Sequence, residues 1–393
     1  MDTPEHPNSE QLQKIINESI KNSAMGCISF AEYMDLVLYH PDYGYYSSGV
    51  VKIGAAGDFF TSSSLGRDFG ELLAIQFVEM WHKLDCPDPF FIVEMGSGNG
   101  QLARDILTYL DKNNPDLAEI LEYIIIEESP KLTIQQQELL NDFTGININW
   151  QSWQELENNS INGVFFSNEL VDAFPVHRVT NKDNKLQEIY LTLERDKLTE
   201  TIGEVSTTKI NRYFEFLGIN LLTGEYSPNY QTEVNLRALA WLKTVASKLK
   251  QGYLVTIDYG YKADKYYHPQ RSQGTLQCYY QHRRHNNPYV NLGYQDITTH
   301  VNFSALESQG KLCNLETIGF TQQGLFLMAL GLGDRLNELS SGKYNIQEIF
   351  KRRDALHQLI DPIGLGGFGV LIQGKELDRP EMRSLLGLNI PQL

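Results

Sequence analysis

Two short runs carry the residue types best suited to chemistry. The first is Val93-Glu94-Met95-Gly96-Ser97-Gly98-Asn99-Gly100. Glycines let a backbone turn tightly and approach a ligand with no Cβ in the way. The turn opens a helical pattern, whose first N–H groups favour a negative group. A dinucleotide phosphate loop reads G-x-G-x-x-G and would need its third glycine at 101; Gln101 stands there, and the glycines read G-x-G-x-G. Glu94, two residues before the first glycine, repels a pyrophosphate and suits a cationic ligand. The next apolar run ends in Glu127 and Glu128. An acid there accepts two hydrogen bonds from a ribose diol, a feature shared with dinucleotide folds; strand length favours Glu127, with Glu128 as the alternative. The second run is Phe165-Phe166-Ser167-Asn168-Glu169-Leu170-Val171-Asp172. Asn168, Glu169 and Asp172 follow directly on a buried apolar stretch, as an active-site edge requires.

These features together fit S-adenosylmethionine, which offers a sulfonium, an ammonium, a carboxylate, a ribose diol and an adenine. Glu94, Gly96, Ser97, Gly98 and Gly100 are expected to hold its amino-acid end and Glu127 its ribose. Trp150, Gln151 and Ser152, after the third apolar strand, are expected to flank the adenine beside Trp153. Each has a plainer alternative: a capping carboxylate for Glu94, core or rim packing for the tryptophans, a helix cap and two surface acids for Asn168, Glu169 and Asp172. Asp258 is a further acid on the same edge. His177, just past Pro175, has a base as its alternative but reads as structural, and His282 and His285 read as loop residues without metal-ligand company, so no metal is expected.

The elements that position these residues follow from hydrophobic periodicity. Residues 1 to 9 read as a loose tail, and residues 10 to 38 carry apolar positions at helical spacing. An aromatic, Gly-rich loop spans Tyr39 to Gly49, and a second loop leads to a helix over about 65 to 84. Short apolar runs at 90–95, 123–129, 146–150, 163–170 and 252–260 alternate with amphipathic stretches. That alternation indicates a parallel sheet covered on both faces. Residues 178–232 and 263–300 interrupt it after core strands, where insertions shape a substrate site. Residues 319–332 read as helical, and 367–377 as a last strand.

Composition narrows the function. The 393 residues include 33 Lys+Arg and 49 Asp+Glu, for a net charge of −16. Such a chain is a poor polyanion binder, so nucleic acid is not expected as a partner. No apolar run approaches the length of a membrane span, so no membrane insertion is expected. Cys27, Cys86, Cys278 and Cys313 are scattered without a C-x-x-C pair and read as idle thiols in a reducing compartment. The polar, acidic start has no signal-peptide pattern, and a cytoplasmic location is expected.

The motifs YMDLVLYHPDYGYY, GAAGDFFTSSSLGRDFGELLA, VEMGSGNGQLARDIL, SNELVDAFPVHR, VTIDYG and GYQDITTHVNFSAL resemble the MidA family. That family includes the mitochondrial complex I assembly factor that methylates an arginine. The similarity runs from about residue 30 to 374. It implies an α/β fold with a class I S-adenosylmethionine-dependent methyltransferase (Rossmann-like) core, a mostly parallel sheet, an N-terminal helical extension and substrate-side insertions. Gly57, Asp58, Phe59 and Thr61 match the family's G-D-F-x-T loop, which the resemblance implies closes over the cofactor. Two departures stand out: Ser63-Ser64 replace a common Pro-Glu, and Asn302 replaces a common Asp.

The expected organisation is an N-terminal region over 1–88, a core over 89–262 with its insertion at about 178–232, a second insertion at 263–300 and C-terminal elements over 301–393. With an arginine acceptor, Glu169 together with Asp172 would bind the guanidinium, and Asn168 completes the candidate catalytic set. The implied partner is a protein substrate, a subunit of an NADH dehydrogenase-type complex, and a homodimer is left open. The alternatives are a non-catalytic assembly factor that retains cofactor binding and a nicotinamide-dependent oxidoreductase.

Overall fold

The computed structural model describes residues 7–49, 62–281, 283–342 and 344–389. Helix α1 (Pro7–Asn22) buries Leu12, Ile16 and Ile20, one turn apart. It begins at Pro7, so the expected tail gives way to helix two residues before its end. Strand β1 (Cys27–Ser29) leads into α2 (Phe30–Tyr39), which starts with a capping box between Ser29 and Glu32. The helical spacing expected across 10 to 38 is therefore broken by a short strand. After α3 (Asp68–Lys83) the core begins: β2 (Phe90–Met95), α4 (Gln101–Asn113), α5 (Pro115–Ile120), β3 (Leu121–Ile126), α6 (Pro130–Leu140), β4 (Asn147–Trp150) and β5 (Ile161–Asn168).

The first insertion forms β6 (His177–Lys182), β7 (Lys185–Glu194), β8 (Lys197–Gly203), α7 (Thr208–Leu217) and β9 (Gln231–Val234). β1 pairs antiparallel with β7 in this second sheet, which explains the strand in the N-terminal region: its partner lies far along the chain. The core resumes with α8 (Leu236–Lys248) and β10 (Leu249–Asp258). Then come β11 (Gly260–Tyr261), α9 (Ala263–Tyr266), β12 (Gln277–Tyr280), β13 (Arg283–His285), β14 (Asp296–Thr298) and β15 (Val301–Asn302). His285, expected in a loop, lies on β13, which pairs with β12 in a small three-stranded sheet. The chain continues through α10 (Phe303–Leu312), β16 (Glu316–Gln322), α11 (Gln323–Ala329), α12 (Leu332–Glu338), α13 (Ile346–Ile360) and β17 (Gly369–Lys375). Residues 319–322, expected to be helical, instead finish β16, where Phe320 pairs with Leu371 and Thr321 with Val370 of β17.

The main sheet runs β16-β17-β10-β5-β2-β3-β4. β10, β5, β2, β3 and β4 are parallel, and β17 is antiparallel to both neighbours. Alternate residues feed two cores. Ile92, Tyr123, Ile125, Val164 and Phe166 pack on the α3–α4 side. Val93, Met95, Ile124, Ile126 and Phe165 pack on the α8–α10 side. Burial on both faces is why these strands read as near-continuous apolar runs. Among the described residues no helix is long and apolar enough to cross a membrane, and no cluster of His, Cys, Asp and Glu could hold a metal ion.

Candidate active site

The order of the main sheet reverses between β2 and β5. From β2 the chain winds outward through β3 and β4, and from β5 it winds the other way through β10. In open α/β sheets the crevice beyond the strand carboxyl ends at such a switch point binds ligands. A cavity of about 500 Å³ lies there, lined by Glu94, Gly96, Ser97, Gly98, Glu127, Asn168 and Glu169 among others.

Gly96, Gly98 and Gly100 have φ of 72°, 56° and 83°. At Gly96 an added Cβ would sit 2.8 Å from Leu170 Cδ1, so the left-handed φ favours glycine and any side chain would also displace the Leu170 methyl. Glu94 is buried, and its Oε2 accepts a 2.7 Å hydrogen bond from the Tyr123 hydroxyl. Burial pushes its carboxyl up to about 7, against the pull of Tyr123. A cationic group arriving in the cavity would restore its charge.

Glu127 is held from two sides: Oε1 accepts from Ser129 N (2.9 Å) and Oε2 from Gln136 Nε2 (3.1 Å). Gln136 Nε2 also donates to Gly98 O (2.8 Å), and its Oε1 accepts from Trp150 Nε1 (2.9 Å). Trp150 is thus linked through Gln136 to Glu127, which lines the cavity. Gln151 N bonds Ile125 O, and Ser152 bonds Glu155 through both N and Oγ. None of the three residues expected at the adenine lines the cavity, and neither does Gly100, which packs against Gln136 instead. Glu128 does line it, and also lies 3.6 Å from Arg237 Nη2.

Beyond β5 the backbone turns at Glu169, whose φ of 53° is rare for a residue with a side chain. Such strain of about 1–3 kcal/mol concentrates at functional sites. The Glu169 N–H bonds Ile257 O, and its Oε1 accepts from Ser62 N and Asn168 Nδ2, both at 3.1 Å. Burial pushes Glu169 up to about 8; the Ser62 N–H opposes this, while the Asp172 and Asp296 charges add to it. Burial likewise raises Asp172 to about 6. Asp258 is spent on the backbone: Oδ2 accepts from Val171 N and Asp172 N, and Oδ1 from Tyr259 N. It pins the turn that carries Asp172.

A second cavity, about 720 Å³, opens on the other side of Glu169. Asp172, Tyr259, Asp296, Thr298 and His300 line it, and Glu169 and Tyr46 line both cavities. The Tyr46 hydroxyl donates to Asp296 Oδ1 at 2.7 Å, and its ring stacks on Tyr39 at 5.5 Å. The sequence reading did not place Asp296 or Tyr46 in the site, although both lie in motifs it singled out. Gly57, Asp58, Phe59 and Thr61 lie outside the described residues; directly after them, Ser62 reaches Glu169 and Ser63 lines the first cavity. His177 Nδ1 pairs with buried Glu188 at 2.7 Å, a structural contact. Asn302 caps α10 by accepting from Ala305 N, and its Nδ2 donates to the Tyr213 hydroxyl.

A doubly covered, mostly parallel sheet with an acid–glycine turn at its switch point defines the S-adenosylmethionine-dependent methyltransferase class. Residues 72–321 match the family described as putative S-adenosyl-L-methionine-dependent methyltransferase. The chain belongs to that family, and the resemblance to MidA proteins is borne out. It is 28% identical over 371 residues to the mitochondrial protein arginine methyltransferase NDUFAF7 homolog of Drosophila melanogaster, covering 87% of this chain and 80% of that one. It is also 28% identical over 405 residues to protein arginine methyltransferase NDUFAF7 of Danio rerio, covering 94% and 90%. A likely methyl transferase from Burkholderia thailandensis, solved with S-adenosyl-homocysteine bound, superposes with a TM-score of 0.85 at 28% identity, covering 99% and 98% of the two chains.

Proposed function

We propose that this enzyme transfers a methyl group from S-adenosylmethionine to a guanidinium nitrogen of an arginine in a protein. The observation that carries the reading is the shared wall: Glu169 faces both the glycine-turn cavity and a second cavity that also holds Asp172 and Asp296. Three carboxylates there suit a cationic acceptor, and the curated relatives named above carry arginine methyltransferase in their names.

The residues of the first cavity fit the cofactor. Buried Glu94 matches a cationic amino-acid end, the glycine turn leaves room for close approach, Glu127 suits a ribose diol, and Asn168 Oδ1 is a buried acceptor with no partner among the described residues. When bound, S-adenosylmethionine supplies an electrophilic methyl group on a sulfonium. The protein must present the acceptor nitrogen and deal with its proton. A guanidinium with a pKa above about 12 stays charged until it reacts. Glu169 and Asp172 grip its planar fork, fix its direction and bias charge onto the attacking nitrogen. A carboxylate near 8 is a far better proton acceptor than one near 4.5, so Glu169 is suited to receive the proton. Positioning of this kind is worth roughly 7–11 kcal/mol in favourable cases. Tyr39, Pro41 and Tyr46 line the first cavity, and Tyr46 also lines the second.

The acceptor suggested by the family resemblance is a subunit of an NADH dehydrogenase-type complex. The reading is tested by incubating the protein with CD3-labelled S-adenosylmethionine and arginine-containing peptides, then locating the label by fragmentation mass spectrometry. Label on guanidinium nitrogens is expected; label on lysine or chain termini alone refutes the arginine assignment.

A further inference from the structure

The second cavity is larger than its task as a guanidinium slot demands. At about 720 Å³ it falls in the range of pockets that enclose drug-sized ligands, about 300–1,000 Å³, so it has room for residues beside the arginine. Its charges are segregated. The acids Glu169 and Asp172 come from the end of β5, and Asp296 from β14; the cations Lys265 and Arg284 come from the 263–300 insertion and are exposed at the mouth.

Strand register fixes part of this layout. Tyr279 on β12 pairs with Arg284 on one side and with Asp296 on the other, so the three side chains share one face of the small sheet. With strands about 4.8 Å apart, Arg284 and Asp296 stand about 10 Å from each other in one row. Lys265 Nζ and the Arg271 guanidinium both lie against the Tyr261 ring, at 4.6 and 4.5 Å, and Tyr261 stacks on His300 in the cavity wall. On the inner wall the Tyr259 hydroxyl lies against the Asp172 carboxylate and Thr298, and His300 Nδ1 has no hydrogen-bond partner among the described residues. The deep end is thus built for N–H donors, and the mouth for the opposite charge, in a protein whose net charge is −16.

We infer that the cavity selects arginines flanked by acidic residues, with the guanidinium at Glu169, Asp172 and Asp296 and a neighbouring carboxylate at Arg284 and Lys265. The inference rests on the arginine reading and adds the sequence context of the target. An extended peptide rises about 3.3 Å per residue, so an acid one to three positions from the arginine spans the distance along the row. Opposite charges at a mouth of this kind chiefly set which partner is chosen.

The test measures binding of short fluorescent peptides to the full chain saturated with S-adenosylhomocysteine, by anisotropy. The peptides carry a central arginine in a Gly/Ser background, flanked by Asp, by Ser or by Lys. The Asp-flanked peptide is expected to bind about fivefold tighter than the Lys-flanked one, the size of two exposed ion pairs. The difference should shrink in 1 M salt, where charges are screened within about 3 Å. The double reversal Lys265→Glu/Arg284→Glu should invert the preference, and the milder Arg284→Gln should weaken it if the double variant does not fold. Equal affinities in the unmodified protein, or a preference that survives these substitutions, overturns the inference. Replacing the central arginine by citrulline separates the two layers. If binding is lost but flanks do not matter, the arginine reading stands and the mouth selection fails; if flank preference persists without need of the arginine, the arginine reading fails.

Discussion

Glu169→Gln is the substitution whose consequences the structure specifies most fully. Gln is the same size and keeps an oxygen to accept from Ser62 N and Asn168 Nδ2, so the turn at φ 53° should persist. What changes is the ability to become negative. The folded carboxyl stands near 8 instead of 4.5. At about 1.36 kcal/mol per unit, ionising it inside the protein costs up to about 5 kcal/mol more than in water. Glu169 is partly open to two cavities, and this screening reduces the figure to on the order of 2–3 kcal/mol. Because the folded value is raised, the folded state holds the extra proton between about 4.5 and 8. The stabilisation is full below 4.5 and is lost as pH rises through 8. The variant should therefore match the parent in urea unfolding at pH 4.5 and exceed it by on the order of 2–3 kcal/mol at pH 9. Its methyl transfer should fall about 10²–10³-fold, because a guanidinium deprived of a charged partner loses about 2–5 kcal/mol. S-adenosylhomocysteine affinity, measured by calorimetry, should change little. In the parent, kcat/KM should rise with pH up to about 8 as Glu169 ionises. A variant that turns over at the parent's rate, or whose stability follows pH as the parent's does, would remove Glu169 from the mechanism.

Glu94→Gln should weaken S-adenosylmethionine binding by about 10–100-fold, the worth of a charge-assisted hydrogen bond. In the parent that affinity should rise as pH passes about 7, where Glu94 ionises; calorimetry across pH 6–8 checks both. Gly96→Ala, at φ 72° and 2.8 Å from Leu170 Cδ1, should lower stability by about 1–3 kcal/mol and abolish cofactor binding, seen by thermal unfolding with and without S-adenosylhomocysteine. Asn302→Asp should leave stability within about 1 kcal/mol and activity unchanged, since an aspartate also caps α10 and can accept from the Tyr213 hydroxyl; urea unfolding and label transfer measure this.

The core was legible wherever burial on both faces left a mark. β2, β3 and β5 announce themselves as apolar runs, and the glycine turn and Glu127 follow at their ends because strand-end acids and glycines have local causes. β1 was not legible: three residues form a strand only because β7, more than 150 positions later, supplies the partner. The same holds for residues 319–322, whose pairing with β17 overrides their helical spacing. In the site, the type of residue was readable but the neighbours were not. Trp150 has the right character for a base-flanking ring, but that its indole N–H would bond Gln136 was not readable from the sequence. Asp296 looks like any polar residue in a Tyr- and Asn-rich segment. Only the three-stranded register of β13, β12 and β14 brings it to the wall opposite Glu169, where Tyr46 from the N-terminal loop bonds it.

The central claim is that a cofactor cavity and an acceptor cavity meet at Glu169. It is tested most directly by a crystal structure of the protein with S-adenosylhomocysteine and an arginine peptide together. The account predicts the cofactor's amino group beside Glu94 and the guanidinium against Glu169, with one of its nitrogens facing the thioether sulfur. A cofactor seated away from the glycine turn, or a peptide bound with its arginine outside the cavity of Asp172 and Asp296, would contradict it.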